Sequence, residues 1–239
     1  MPQGMHYFPV AAPALLGLAL LFAIVAGFVA ARLVSFASAS MGLAPGTMMG
    51  VLLASLLGSY INIPIAYLPE HHMSARAVVS YFGVPYVVPV VRSTVTVLAI
   101  NVGGAVIPII MSLYLMMRNQ LYTLSFWGIA VVALACHLLA RPVPGIGIAE
   151  PIFVPCLVTT VMALSLSRRH AGALAYICGS LGTLIGADLM NLGKISGLGA
   201  PVASIGGAGT FDGIFVIGLL SVVYAGWFSG SQARRNRAV

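Results

Sequence analysis

The 239-residue chain carries four carboxylates, Glu70, Glu150, Asp188 and Asp212, and two of them stand where lipid is the expected surrounding. Asp188 lies in "TLIGADLMNL", and Asp212 closes "SIGGAGTFD" ahead of the apolar run Ile214 to Phe228. An ionisable group at membrane depth is costly, so it commonly marks a solute pathway, a proton relay or a site. Two carboxylates held close share a proton, with one pKa raised. Acid/base hydrolysis and cation-coupled transport can both use such a pair.

Each aspartate also has a structural reading. With Gly209 or Thr210 as cap, Asp212 would occupy the first turn of a helix and face the positive end of its dipole. Asp188 sits near a helix C-terminus, where the dipole disfavours an anion, and its structural partner would be Lys194. The balance favours function for the pair. "GGAG" before Asp212 offers bare backbone amides at a helix start, a place suited to an anion or to unwinding. Glu150 precedes a proline in "PGIGIAEPIF" and reads first as the interfacial start of a helix. His137, between Cys136 and Leu138, reads first as a satisfied buried histidine. "EHHM" at 70–73 could hold a soft metal with His6, but a solvated loop is the plainer account, and no metal site is assigned. Cys136, Cys156 and Cys178 fall in apolar segments without zinc spacing, as buried thiols do.

The elements that must position these residues follow from composition. Sixty per cent of the residues are hydrophobic and 6 per cent charged, with a mean hydropathy of +1.06, which excludes a water-soluble domain. The apolar stretches are long and do not alternate, so the spans are helices rather than barrel strands. The expected fold is all-α: a single transmembrane domain, a polytopic helical bundle with spans at about 13–34, 46–67, 94–117, 121–140, 149–167, 171–191 and 209–228. The first of these lacks the basic flank of a signal peptide and reads as a retained helix. "AVVSYFGVPYVVPVV", 77–91, is short and carries Pro85 and Pro89. It reads as re-entrant or interfacial, with an eighth crossing as the alternative.

Seven spans place the termini on opposite sides. The C-terminal side carries Arg32, Arg118, Arg168, Arg169, Arg234, Arg235 and Arg237, against Arg76, Arg92, Arg141 and Lys194. Seven cations against four put the C-terminus in the cytoplasm and the N-terminus outside. All four carboxylates, with His6, His71, His72 and His137, then fall at the outer side. The formal charge of +7 thus sets topology and does not imply nucleic acid. Span six has two closely approachable faces, Ala175/Gly179/Thr183 and Gly182/Gly186.

"NVGGA" at 101–105 is echoed by "SIGGA" at 204–208, and "SLLGSYI" at 55–61 by "SLGTLI" at 180–185. Spans one to three would echo five to seven in one orientation, a parallel 3+1+3 repeat like that of SWEET-type sugar-efflux transporters, without their proline-glutamine motif. Chance similarity of short glycine-rich stretches is the competing account. In this alignment Asn62 and Asn101 fall near the positions of Asp188 and Asp212, giving a site of two amides facing two carboxylates.

"LAYICGSLGTLIGADLMNL", "ASIGGAGTFDGIFVIGLL" and "INVGGAVIP" resemble an uncharacterised prokaryotic integral membrane family, domain of unknown function 1614. The resemblance implies a multi-pass protein of a bacterial or archaeal inner membrane and supplies no activity. A looser likeness is to intramembrane aspartic proteases, which place one aspartate on each of two adjacent helices. Their Gly-x-Gly-Asp motif is interrupted here by Thr210 and Phe211, and no Tyr-Asp stands at Asp188.

Three functions stay open. The leading one is transporter-like, a small solute or ion bound at an outward acidic pocket of Asp188 and Asp212, with Asn101, Asn62, Lys194, Glu150 and His137 around it. The second is an intramembrane aspartyl hydrolase with Asp188 and Asp212 as its catalytic pair. The third is a structural or assembly subunit. The expected partners are the lipid bilayer, the unknown solute or ion, and a second copy in a homo-oligomer. No cofactor is expected.

Overall fold

A backbone in lipid must satisfy its own hydrogen bonds, and the apolar runs do so mainly as helices. The computed structural model describes residues 12–69, 77–81, 84–88, 95–143, 147–195, 202–207 and 213–235. Seven α-helices occupy most of that length: α1 (Ala12–Met41), α2 (Pro45–Gly58), α3 (Ile107–Asn119), α4 (Tyr122–Leu139), α5 (Phe153–Leu166), α6 (Ala171–Thr183) and α7 (Gly213–Arg235). Four helical stretches are long and apolar enough to cross a membrane, Ala14–Met41, Val102–Asn119, Tyr122–Leu139 and Ala171–Lys194. The 14-residue α2 and α5 rise only about 21 Å each, short of a hydrocarbon core of about 30 Å.

The strands correct the all-α expectation. They are β1 (Asn62–Pro69), β2 (Ala77–Tyr81), β3 (Val84–Val88), β4 (Val95–Asn101), β5 (Arg141–Val143), β6 (Gly147–Ala149) and β7 (Val202–Ile205). The helix expected over 46–67 ends at Gly58, and the span expected over 94–117 opens as a strand. The stretch 77–91, expected to be re-entrant or interfacial with an eighth crossing as the alternative, forms over its described residues an antiparallel hairpin, with Ala77 opposite Val88 and Tyr81 opposite Val84. The physical reason is residue shape. "AVVSY", "VPYVV" and "VTVLAI" are rich in β-branched and aromatic side chains, which lose rotamer freedom in a helix and fit a pleated strand.

Helix α6 is the axis of the bundle. Every residue from Ala171 to Ser180 is buried, as expected for a helix apolar on all sides, and it packs against α3, α4, α5 and α7. Small residues make this possible. Gly179 faces Gly218 of α7 and Thr159 of α5, whereas Gly182 and Gly186 press on Val132 and Ala133 of α4. The two faces read from the sequence are therefore separate contacts, but Thr183 turns to α4, where its Oγ1 lies 3.5 Å from Cys136 Sγ. Leu174, Ile177, Met48, Leu115 and Val222 fill the main core. By contrast, every residue of α1 from Ala14 to Leu33 is exposed, an apolar surface suited to lipid. Only its last turns, with Ala37, Ser38 and Met41, are buried.

Ser40 near the end of α1 lies against Gly172 at the start of α6 and Gly226 late in α7. Those three ends therefore coincide. The three-stranded sheet, in the order β1-β4-β7, gathers at the opposite end, where α2 and α6 finish and α3 and α7 begin.

Candidate functional site

That sheet brings distant polar residues together. Strand β4 lies antiparallel to β1, with Asn101 opposite Asn62, and parallel to β7, with Ala99 beside Ser204 and Ile100 beside Ile205. The two echoing motifs thus run side by side in one direction, offset by two residues from their sequence alignment.

Asn101 is fully buried and makes three hydrogen bonds. Its Nδ2 donates to the Ser59 carbonyl at 2.7 Å and to Asn62 Oδ1 at 3.1 Å. Its Oδ1 accepts from the Gly104 amide at 2.8 Å, capping the π-helical turn π1 (Val102–Val106) that leads into α3. Ser204 Oγ donates to the same Asn62 Oδ1 at 2.6 Å. The two polar residues that lead the motifs, Asn101 and Ser204, therefore converge on one acceptor. Asp188 joins one residue past the end of β7, its Oδ2 accepting from the Gly206 amide at 2.7 Å.

One glycine of each pair makes this crossing. A Cβ on Gly104 would overlap the Gly206 carbonyl, and one on Gly206 would overlap the Ala105 amide. Gly206 also holds φ +90°, a backbone region that side chains disfavour. Beside them, Ser55 Oγ donates to the Gly103 carbonyl, tying the end of α2 to π1. Pro108, in the first turn of α3, lacks the amide that would bond the Gly104 carbonyl, which is a local reason for the widened turn.

A second π-helical turn, π2 (Leu184–Asp188), ends α6 and continues as the 3-10 turn Leu189–Lys194. Its loosened carbonyls are met by a buried side chain the sequence reading did not single out. Asn191 Nδ2 donates to the Gly186 and Ala187 carbonyls, both at 2.9 Å. Lys194, expected as a salt-bridge partner of Asp188, donates to Asn191 Oδ1 at 2.8 Å.

Glu150 lies against the Cys136 thiol on α4, and Cys136 packs in one cluster with Ala187, the neighbour of Asp188. His137, next to Cys136 in the chain, keeps a buried Nδ1 without a hydrogen-bond partner, which departs from the satisfied histidine expected. Asp212, like His6, Glu70, His71 and His72, lies outside the described residues. Among the described residues no three His, Cys, Asp or Glu side chains gather as metal ligands. The polar side chains gathered at this crossing are Asp188, Ser204, Asn62 and Asn101, running from buried Asn101 to exposed Asn62. Ser204 was not singled out from the sequence, although it stands in the echo where Asn101 stands.

A family model described as a protein of unknown function, DUF1614, matches residues 56–224. That segment contains both glycine-pair motifs and all four of these polar residues. No curated protein and no solved structure matches the chain.

Proposed function

The chain belongs to the DUF1614 family, whose function is unknown, and we propose that it is a membrane carrier for a small solute or ion. The observation that carries this reading is the convergence of Asp188, Ser204, Asn62 and Asn101 where the two glycine-pair segments cross. Carriers built from repeats bind their substrates between the repeats, at helices interrupted by non-helical backbone. Here π1 opens α3 and π2 ends α6 at that crossing. Polar groups and irregular backbone at such a depth fit a cavity or solute path. In this reading the seven helices are seven crossings, the repeat is the parallel 3+1+3 arrangement, and the site faces outward with the C-terminus cytoplasmic. Asp212, which precedes α7 in the sequence, is the second carboxylate.

One observation favours the structural alternative. Asp188 holds the Gly206 amide, and a pin of that kind needs no substrate. Reconstitution in liposomes separates the readings. Asp188→Asn keeps an oxygen for Gly206 but removes the charge, so the carrier reading expects folded protein with solute flux reduced at least about tenfold. Equal flux in wild type and variant would leave Asp188 a pin. Cleavage of reporter membrane peptides by wild type, lost in both Asp188→Asn and Asp212→Asn, would install an aspartyl hydrolase instead.

A further inference from the structure

Contacts at small residues set the level of each helix at the end away from the sheet. Gly128 of α4 lies against Cys178 of α6, and Gly182 of α6 lies against Val132 of α4. Helix α4 therefore runs parallel to α6, with Tyr122 near the level of Gly172. Gly218 of α7 lies against Ser180, and Gly226 meets Ser40, which also meets Gly172. Thus α7 runs antiparallel to α6, with Trp227 near the level of Ala171. Both tryptophans of the chain, Trp127 and Trp227, are exposed around this end together with Tyr122 and Tyr224. Beyond them come cations: Arg118 in the last turn of α3, Arg168 and Arg169 ahead of α6, and Arg234 and Arg235 closing α7. The segments that join helices here, 42–44, 118–121 and 167–170, contain no Asp or Glu, and neither does the chain from 213 onward.

We infer that this end is a recognition surface for anionic phospholipid headgroups. Indole and phenol side chains, apolar at one end and polar at the other, settle at headgroup level, so the aromatic residues mark where this end meets the bilayer surface. Cations immediately beyond them stand among the lipid phosphates. Arg118 is held at that level, since its guanidinium lies 5.9 Å from the Tyr114 ring centre and donates to Tyr114 Oη at 3.3 Å. A guanidinium forms paired hydrogen bonds with phosphate. With no carboxylate in the joining segments, they carry a net positive charge, and each cation near an anionic surface favours it about fivefold. A zwitterionic headgroup offers the same phosphate without the net charge. The inference needs only a membrane-embedded chain and holds whether or not the protein carries a solute.

Both tryptophans belong to this surface, so their fluorescence reads the lipid beside it. Full-length protein is reconstituted in mixed bilayers in which either the phosphatidylglycerol or the phosphatidylcholine carries brominated, quenching acyl chains. The expected result is a preference for phosphatidylglycerol of at least about fivefold, weakened by added salt as surface electrostatics require. Arg118→Gln combined with Arg169→Gln, both at exposed positions, is expected to lower the preference at least about fivefold. Arg118→Lys with Arg169→Lys keeps the charge and should retain the preference, which separates lost attraction from lost folding. Arg141→Gln removes an exposed cation at the sheet end and should leave the preference unchanged. Equal quenching by the two lipids in wild type overturns the proposal. So does a preference unaltered in the glutamine pair, lost in the lysine pair, or equally reduced by Arg141→Gln. Displacement of the brominated phosphatidylglycerol by inorganic phosphate at constant ionic strength also overturns it, by marking a site for free anions.

Discussion

Asn101 and Asn62 are opposite one another in the sheet but differ in what their loss would expose. Truncating buried Asn101 strands the Gly104 amide and the Ser59 carbonyl, and an unpaired buried group costs about 1–3 kcal/mol. Asn101→Ala is therefore expected to destabilise by about 2–5 kcal/mol. Asn62 is exposed, so water can replace it, and Asn62→Ala should cost at most about 1 kcal/mol. Denaturant or thermal unfolding of the two variants side by side measures the difference. Equal losses would mean that Asn101 does not anchor the crossing. The same comparison assigns roles, since Asn62 meets both Asn101 and Ser204 and its loss should weaken ligand binding more than folding.

At the scale of elements, the crossing of π1 with the end of β7 is a backbone-to-backbone contact with no space for a methyl group. Gly104→Ala would force the Gly206 carbonyl aside and, with it, the amide that Asp188 holds. The expected outcome is a loss above about 3 kcal/mol, the range of severe overpacking, seen as little folded protein after purification. Gly193→Ala is the matched control, because nothing lies within 4 Å of the added carbon. It should change stability by no more than about 1 kcal/mol, since alanine is the better helix former. Folded Gly104→Ala with wild-type stability would show that the two segments can separate without cost. The π turns belong to the same scale. Each sits where a helix meets the sheet, and each has a side chain, Asn101 or Asn191, that satisfies the irregular backbone.

For the whole molecule, the decisive quantity is the number of crossings. The described part of 77–91 is a hairpin and not a helix. The proposed seven crossings would put Ser74 and Ser231 on opposite faces. Single cysteines there, in intact cells or right-side-out vesicles, should label from outside at Ser74 and only after permeabilisation at Ser231. The native thiols are buried, which keeps the background low. Labelling of both from one side would remove the seven-crossing topology and the outward placement of the site. The exposed length of α1 fits this picture as lipid contact, because apolar surface of that extent is foreign to water.

The sequence by itself determined the mostly helical, membrane-suited character of this protein, the rarity of its carboxylates and the echo of its two glycine motifs. Those are properties of composition and local pattern, which a chain states without folding. Only the tertiary structure decided that 62–69, 95–101 and 202–205 are strands. Short apolar runs bury equally well as helix or sheet, and the choice rests on a partner far along the chain. The same limit applied to Asp188. Its neighbour in sequence, Lys194, turned to Asn191, while its hydrogen bond went to Gly206, 18 residues away. It also applied to Ser204, which meets Asn62 only because β7 lies parallel to β4. Whether a polar side chain meets a ligand, a pin or another helix is set by strand pairing and close backbone approach, and those are long-range contacts that no local spacing encodes.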